Sequence, residues 1–122
     1  MLTERRDYLL RLIQQIGAAA SRLRELLTGD AAPAQDVARE ADQAIGALLG
    51  GGSQAQLLER LDADSAVRLT GDVERVRLWV ELLRLQADAH SKSGAEDVAE
   101  RLRTRADEIE TASGRLADSL GP

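Results

Sequence analysis

Residues 72–92 place apolar side chains on two opposite sides of one helix. Val73, Val76, Trp79, Val80, Leu83, Ala87 and His90 share a face, and Leu78, Leu82, Leu85 and Ala89 form a second line nearly opposite it. Glu74, Arg77, Glu81, Arg84 and Asp88 occupy the one broad polar wedge, where three- and four-residue spacing permits charge pairing. A helix that is apolar on two sides must be covered on both. The segment is therefore the central helix of an all-helical fold or half of an oligomer interface.

The rest of the chain reads as helix on either side of it. In residues 3–28, Leu9, Leu12, Ile13, Ile16, Ala20, Leu23 and Leu27 recur every three or four positions, with Tyr8 and Leu26 at the stripe's edge and Thr3 as an N-cap. Gly29-Asp30-Ala31-Ala32-Pro33 supplies a stop and a turn. A second helix is expected over 34–49, with Val37, Ala41, Ile45 and Leu48 inward. Gly50-Gly51-Gly52-Ser53 is the clearest break, a flexible one, and Ser53 is the expected cap of the next helix. Residues 54–71 read as one or two short helices, the first around Leu57, Leu58 and Leu61, the second capped by Asp64 and containing Val67 and Leu69. Gly94 ends the 72–92 helix, where a left-handed residue is expected. The last helix, 95–119, carries Val98, Leu102, Ala106, Ile109, Ser113 and Leu116, with Leu120 just beyond, at an average spacing that suits shallow-angle packing on a neighbour.

Composition agrees. The apolar residues are Leu, Ala, Val and Ile almost throughout, with no Phe and one Trp and one Tyr. That excludes the aromatic and β-branched richness of strands. The expected fold is all-α: five to six antiparallel helices in a compact bundle, one helical domain over residues 1–122. The net charge of −5 is spread evenly, residues 1–30 summing to +1 and each later block of about thirty to −2. Without a basic face or stacking aromatics, no nucleic-acid partner is expected. No apolar run approaches the ~20 residues of a membrane span. The charged N-terminal stretch lacks the core of a signal peptide, so no membrane partner and a cytoplasmic location are expected.

Leu82 to Ala99, LLRLQADAHSKSGAEDVA, resembles the helical hairpin of a tetratricopeptide repeat. Such repeats place small residues where two antiparallel helices approach closely, with Gly at the turn. Ala87, Gly94, Ala99 and Ala106 match that arrangement. Arg103 stands where the second helix of a repeat has a large aromatic, and His90 where the first helix has one. More loosely, the chain resembles a group of small uncharacterised bacterial proteins that begin with a stretch like Asp7-Tyr8-Leu9-Leu10-Arg11-Leu12-Ile13 and end in such a hairpin. These resemblances imply a fold and no activity.

Catalytic and metal chemistry find little support in the residue types. There is no Cys and one His, His90, so a zinc site would need carboxylates alone for its other ligands. A di-iron motif would need Glu where Ala87 stands and a second His. The triple glycine lacks the Lys-Ser/Thr of a phosphate loop and no strand precedes it. Glu96, Asp97 and Glu100 open the last helix, where negative charge complements its dipole. Trp79-Val80-Glu81 lies inside a helix, so Trp79 is expected in the core.

The expected function is accordingly protein–protein interaction, as an adaptor or a self-associating scaffold, without catalytic residues, cofactor or metal. Leu78, Leu82, Leu85, Ala89 and Leu10 are the expected interaction residues, in a homodimer joined through the Leu82 face or the first helix. Ala87, Gly94, Ala99 and Ala106 are the expected hairpin-packing residues. The alternative is a small enzyme or ligand-binding bundle in which Arg and carboxylates converge on a pocket.

Overall fold

The computed structural model describes residues 2–29 and 32–120, with side chains for 4–29 and 32–119. Thr3 as a cap, Leu120 as an apolar side chain, and Asp30 and Ala31 in the first turn lie outside the described residues or side chains. Six helices follow one another: α1 (Leu2–Thr28), α2 (Ala34–Leu48), α3 (Gly52–Arg60), α4 (Ala63–Thr70), α5 (Val73–Lys92) and α6 (Glu96–Leu120). No strand occurs among the described residues. The fold is an all-α bundle.

Helix ends follow from local chemistry, with two departures from the expected caps. Asp62, not Asp64, caps α4: its Oδ2 accepts from Ser65 N at 3.1 Å and its Oδ1 from Ser65 Oγ at 2.7 Å. Asp62 stands three residues before Ser65, the spacing a cap requires, whereas Asp64 already lies in the first turn. Ser53 is inside α3, whose N-cap is Gly51. Asp72 caps α5: its Oδ1 accepts from Glu74 N at 2.9 Å and Arg75 N at 3.1 Å.

Two helices close alike. Gly50 has φ +100°, and the next N–H, Gly51 N, reaches back to Gly46 O at 2.8 Å. Gly94 has φ +91°, with Ala95 N donating to His90 O at 2.8 Å and Gly94 N to Ser91 O at 3.0 Å. Both are Schellman closures, which need a left-handed residue that only Gly adopts without a Cβ penalty.

The core forms around α5. α6 packs along it as an antiparallel hairpin, α2 covers another side and α1 a third, while α3 and α4 link α2 to α5 with α4 lying on α6. Trp79, Leu82 and Ala89 are fully buried, and Leu85 is 4 % exposed. This corrects the expectation that Leu82, Leu85 and Ala89 offer an exposed interaction line, with Leu78 only partly buried beside them. The second apolar face of α5 is consumed inside the monomer, and α2 supplies much of its cover. Ala87, Ala99 and Ala106 are fully buried in the α5–α6 hairpin region. Val73, expected inward, is 57 % exposed because it opens α5 at the end of the bundle.

Trp79 carries the buried side-chain nitrogen that has no hydrogen-bond partner among the described residues. Its ring lies under the Arg105 guanidinium, 5.9 Å from centroid to Cζ, which favours the ring face electrostatically. Arg105 Nη2 in turn donates to the carbonyls of Leu58 at 3.0 Å and Leu61 at 2.8 Å, where α3 ends.

Candidate interaction surface

Of the exposed large apolar side chains, Tyr8, Leu10, Leu69 and Val73 lie at one end of the bundle, and Leu57 is on α3. α1 and α2 form an antiparallel pair bridged by Arg22 and Glu40 at 3.1 Å. Counting outward from that bridge places Leu48, the last residue of α2, level with about Gln14 of α1. The part of α1 before that point runs on past the end of α2. Among the described residues α1 packs on α2 and α5 only. Glu4 to Tyr8 are all exposed, in contrast to Ile16, Ala20 and Leu23 further along the same helix, which are buried.

The apolar residues of this projecting end are consequently only partly covered. Tyr8 is 69 % exposed and Leu10 49 %, and Leu9, Leu12 and Ile13 are partly buried. Only Leu12 of these three packs against the main core. Leu10, the one expected interaction residue on α1, is thus at the surface. Two further large apolar side chains, Leu69 and Val73, flank the Gly71-Asp72 turn. That turn lies at the same end, because Arg75 bonds the carbonyl of Leu48. Burial alone marks Tyr8 as uncovered; its place at a stripe's edge is its only sequence signal.

A groove of about 680 Å³ runs along α5 between the C-terminal part of α1 and α6. Val73, Val76, Val80 and Leu27 contribute its apolar lining, and Arg24, Arg77, Arg84, Glu81, Asp88 and Glu110 its charges. Each of these arginines has a carboxylate partner. Arg84 is bidentate to Glu110, at 3.0 and 3.2 Å, and reaches Asp107 at 3.0 Å. Arg77 pairs with Glu74 at 3.2 Å, and Arg24 with Glu81 across the α1–α5 interface. The Arg84 hydrogen bonds hold the Glu110 carboxyl below its ordinary range and raise Arg84 itself. A second, smaller groove between the start of α4 and α6 holds Asp62, Asp64, Asp107 and Glu108, with Arg115 bonded to Asp64 at 3.0 Å.

Of the residues considered for chemistry, His90 is partly buried in the last turn of α5, and its carbonyl serves the turn at Gly94. Glu96 accepts from Ser91 Oγ. Among the described residues no group of three or more His, Cys, Asp or Glu is placed to hold a metal ion, and no helix is long and apolar enough to cross a membrane. No family model, curated protein or solved structure matches the chain.

Proposed function

We propose that this chain is a protein–protein interaction module that self-associates as a two-fold homodimer through the N-terminal end of α1. The observation that carries the reading is the exposure of Tyr8 and Leu10 on a helix end that runs past the end of α2. Exposed apolar clusters of this kind usually mark interfaces, and two-fold dimers are the commonest way to close them. The hairpin of α5 and α6, with small residues buried on both helices and Gly94 at the turn, supports a tetratricopeptide-like scaffold beneath that end.

Light scattering across micromolar concentrations tests it. A species of twice 13.2 kDa is expected, returning to monomer in Tyr8→Glu or Leu10→Glu with helicity unchanged. A 13.2 kDa species at every concentration overturns the reading. The alternative, a ligand-binding or catalytic bundle, draws on the α1–α5–α6 groove, whose volume suits a small ligand. Each of the groove's arginines is engaged by a carboxylate of this chain, and Arg84 holds the Glu110 carboxyl below its ordinary range, which supports a structural use of these groups.

A further inference from the structure

Resting on that self-association, we propose that the projecting end of α1 lies in the groove along α5 of a second copy of this chain, the two copies placing their α1 ends reciprocally. Lys92 Nζ donates to the carbonyls of Leu27 and Gly29, both at 2.9 Å, so α1 and α5 have their C-terminal ends together and run in the same direction. A two-fold axis across the opposite end of the bundle then sets α1 of one copy antiparallel to α5 of the other. It enters the groove from the end where Val73 is exposed.

Most of the facing charges are complementary in that direction. On α1, Glu4, Arg5, Arg11 and Leu12 surround Tyr8 at i±3 and i±4 and share its face. With Leu12 level with the partner's Val73, Arg11 falls beside the partner's Glu74, Tyr8 beside the partner's Arg77, and Arg5 and Glu4 come level with the partner's Val80 and the partner's Glu81. Arg11 meets an opposite charge, Tyr8 takes a guanidinium on its ring, and Arg5, one residue from the partner's Glu81, offsets the approach of Glu4 to that same carboxylate. Both Tyr8 and Arg77 are well exposed in the monomer and accessible to each other across the interface. On the α6 side the groove is walled by Ser113, Gly114 and Ala117, short side chains that leave room for an incoming helix. The rim residues keep their own partners, so the incoming charges extend existing pairs into networks.

The chain has no Cys, so single cysteines report contacts cleanly. Tyr8→Cys and Arg77→Cys variants, mixed in equal amounts under mild oxidation, should give the mixed disulfide several-fold in excess of either self-linked species, since a disulfide needs Cα atoms within about 7 Å. A dominant Tyr8→Cys self-link, or no link in a sample that light scattering shows to be dimeric, overturns the groove and leaves self-association standing. A monomer at all concentrations removes both. As a second measurement, Arg11→Glu should weaken the dimer about threefold or more at low salt, with Glu74→Arg in the same chain restoring it. Failure of the double variant to restore it counts against the register.

Discussion

Arg75 donates from Nε and Nη2 to a single oxygen, the carbonyl of Leu48, at 3.0 and 2.6 Å. Leu48 ends α2, and neither α1 nor α2 has a cation in its own last turn. Each borrows one from α5: Lys92 serves the end of α1 and Arg75 that of α2. Arg105 of α6 does the same for α3. Positive charge near a helix C-terminus offsets the dipole and satisfies carbonyls that have no partner within the helix. Arg75→Met keeps most of the packing and removes the donors. It should cost about 1–2 kcal/mol in urea unfolding. An unchanged midpoint would show that water replaces the guanidinium at no loss.

Gly94 and Gly17 should respond in opposite directions. Gly94 sits at φ +91°, and Gly94→Val should destabilise by roughly 1–2 kcal/mol. Gly17 is inside α1, and a Cβ there would meet nothing within 4 Å. Gly17→Ala should therefore stabilise by about 0.5–1 kcal/mol through a less flexible unfolded chain. Thermal or urea midpoints of the two variants check both signs.

Leu82 and Tyr8 separate the core from the proposed interface. Leu82 is fully buried, so Leu82→Ala should cost roughly 2–5 kcal/mol of stability. Tyr8→Glu should leave the unfolding transition of the monomer within about 0.5 kcal/mol of the parent. Circular dichroism during urea titration distinguishes them, and equal losses would contradict the exposure of α1.

Close packing in the hairpin has its own test. Ala99 is fully buried and Ala117 exposed. Ala99→Phe should cost roughly 1–3 kcal/mol through overpacking, and Ala117→Phe much less. Coincident midpoints would remove the close approach of α5 and α6.

Two carboxylates should give opposite pH responses. Burial and the nearby Asp42 charge raise Glu59, partly offset by Arg105. A raised folded-state value favours folding below the ordinary carboxylate range and loses that advantage as pH rises through it. Glu59→Gln should thus stabilise at neutral pH, by no more than a few tenths of a kcal/mol for a group this exposed, and the gain should vanish near pH 4. Glu110 is lowered by Arg84, so its contribution is present at neutral pH and is lost as pH falls through the lowered value. Glu110→Gln should destabilise slightly at pH 7 and narrow toward the parent in acid. Denaturant midpoints against pH check both.

The all-α class, the element order, the helix start at residue 72 and the turn at Gly94 were legible because they rest on contacts within a few residues. Helical periodicity, an Asp three residues before the N–H it accepts from, and a Gly where φ must be positive are all local. The two apolar faces of α5 likewise announced a helix that must be covered twice. What periodicity leaves open is which helix does the covering. The burial of Leu82 and Ala89 depends on α2 lying against α5, a packing decided by how turns and interlocking side chains fit, not by the pattern on either helix. The same holds for the α1 end: Leu10 lies off the stripe in the sequence, but Tyr8 looks like an ordinary stripe-edge residue until the position of Leu48 shows that α2 stops short of it. Arg75, Lys92 and Arg105 read as solvated charges in the sequence, and only the folded chain brings each to a helix end dozens of residues away, where the unpaired carbonyls are.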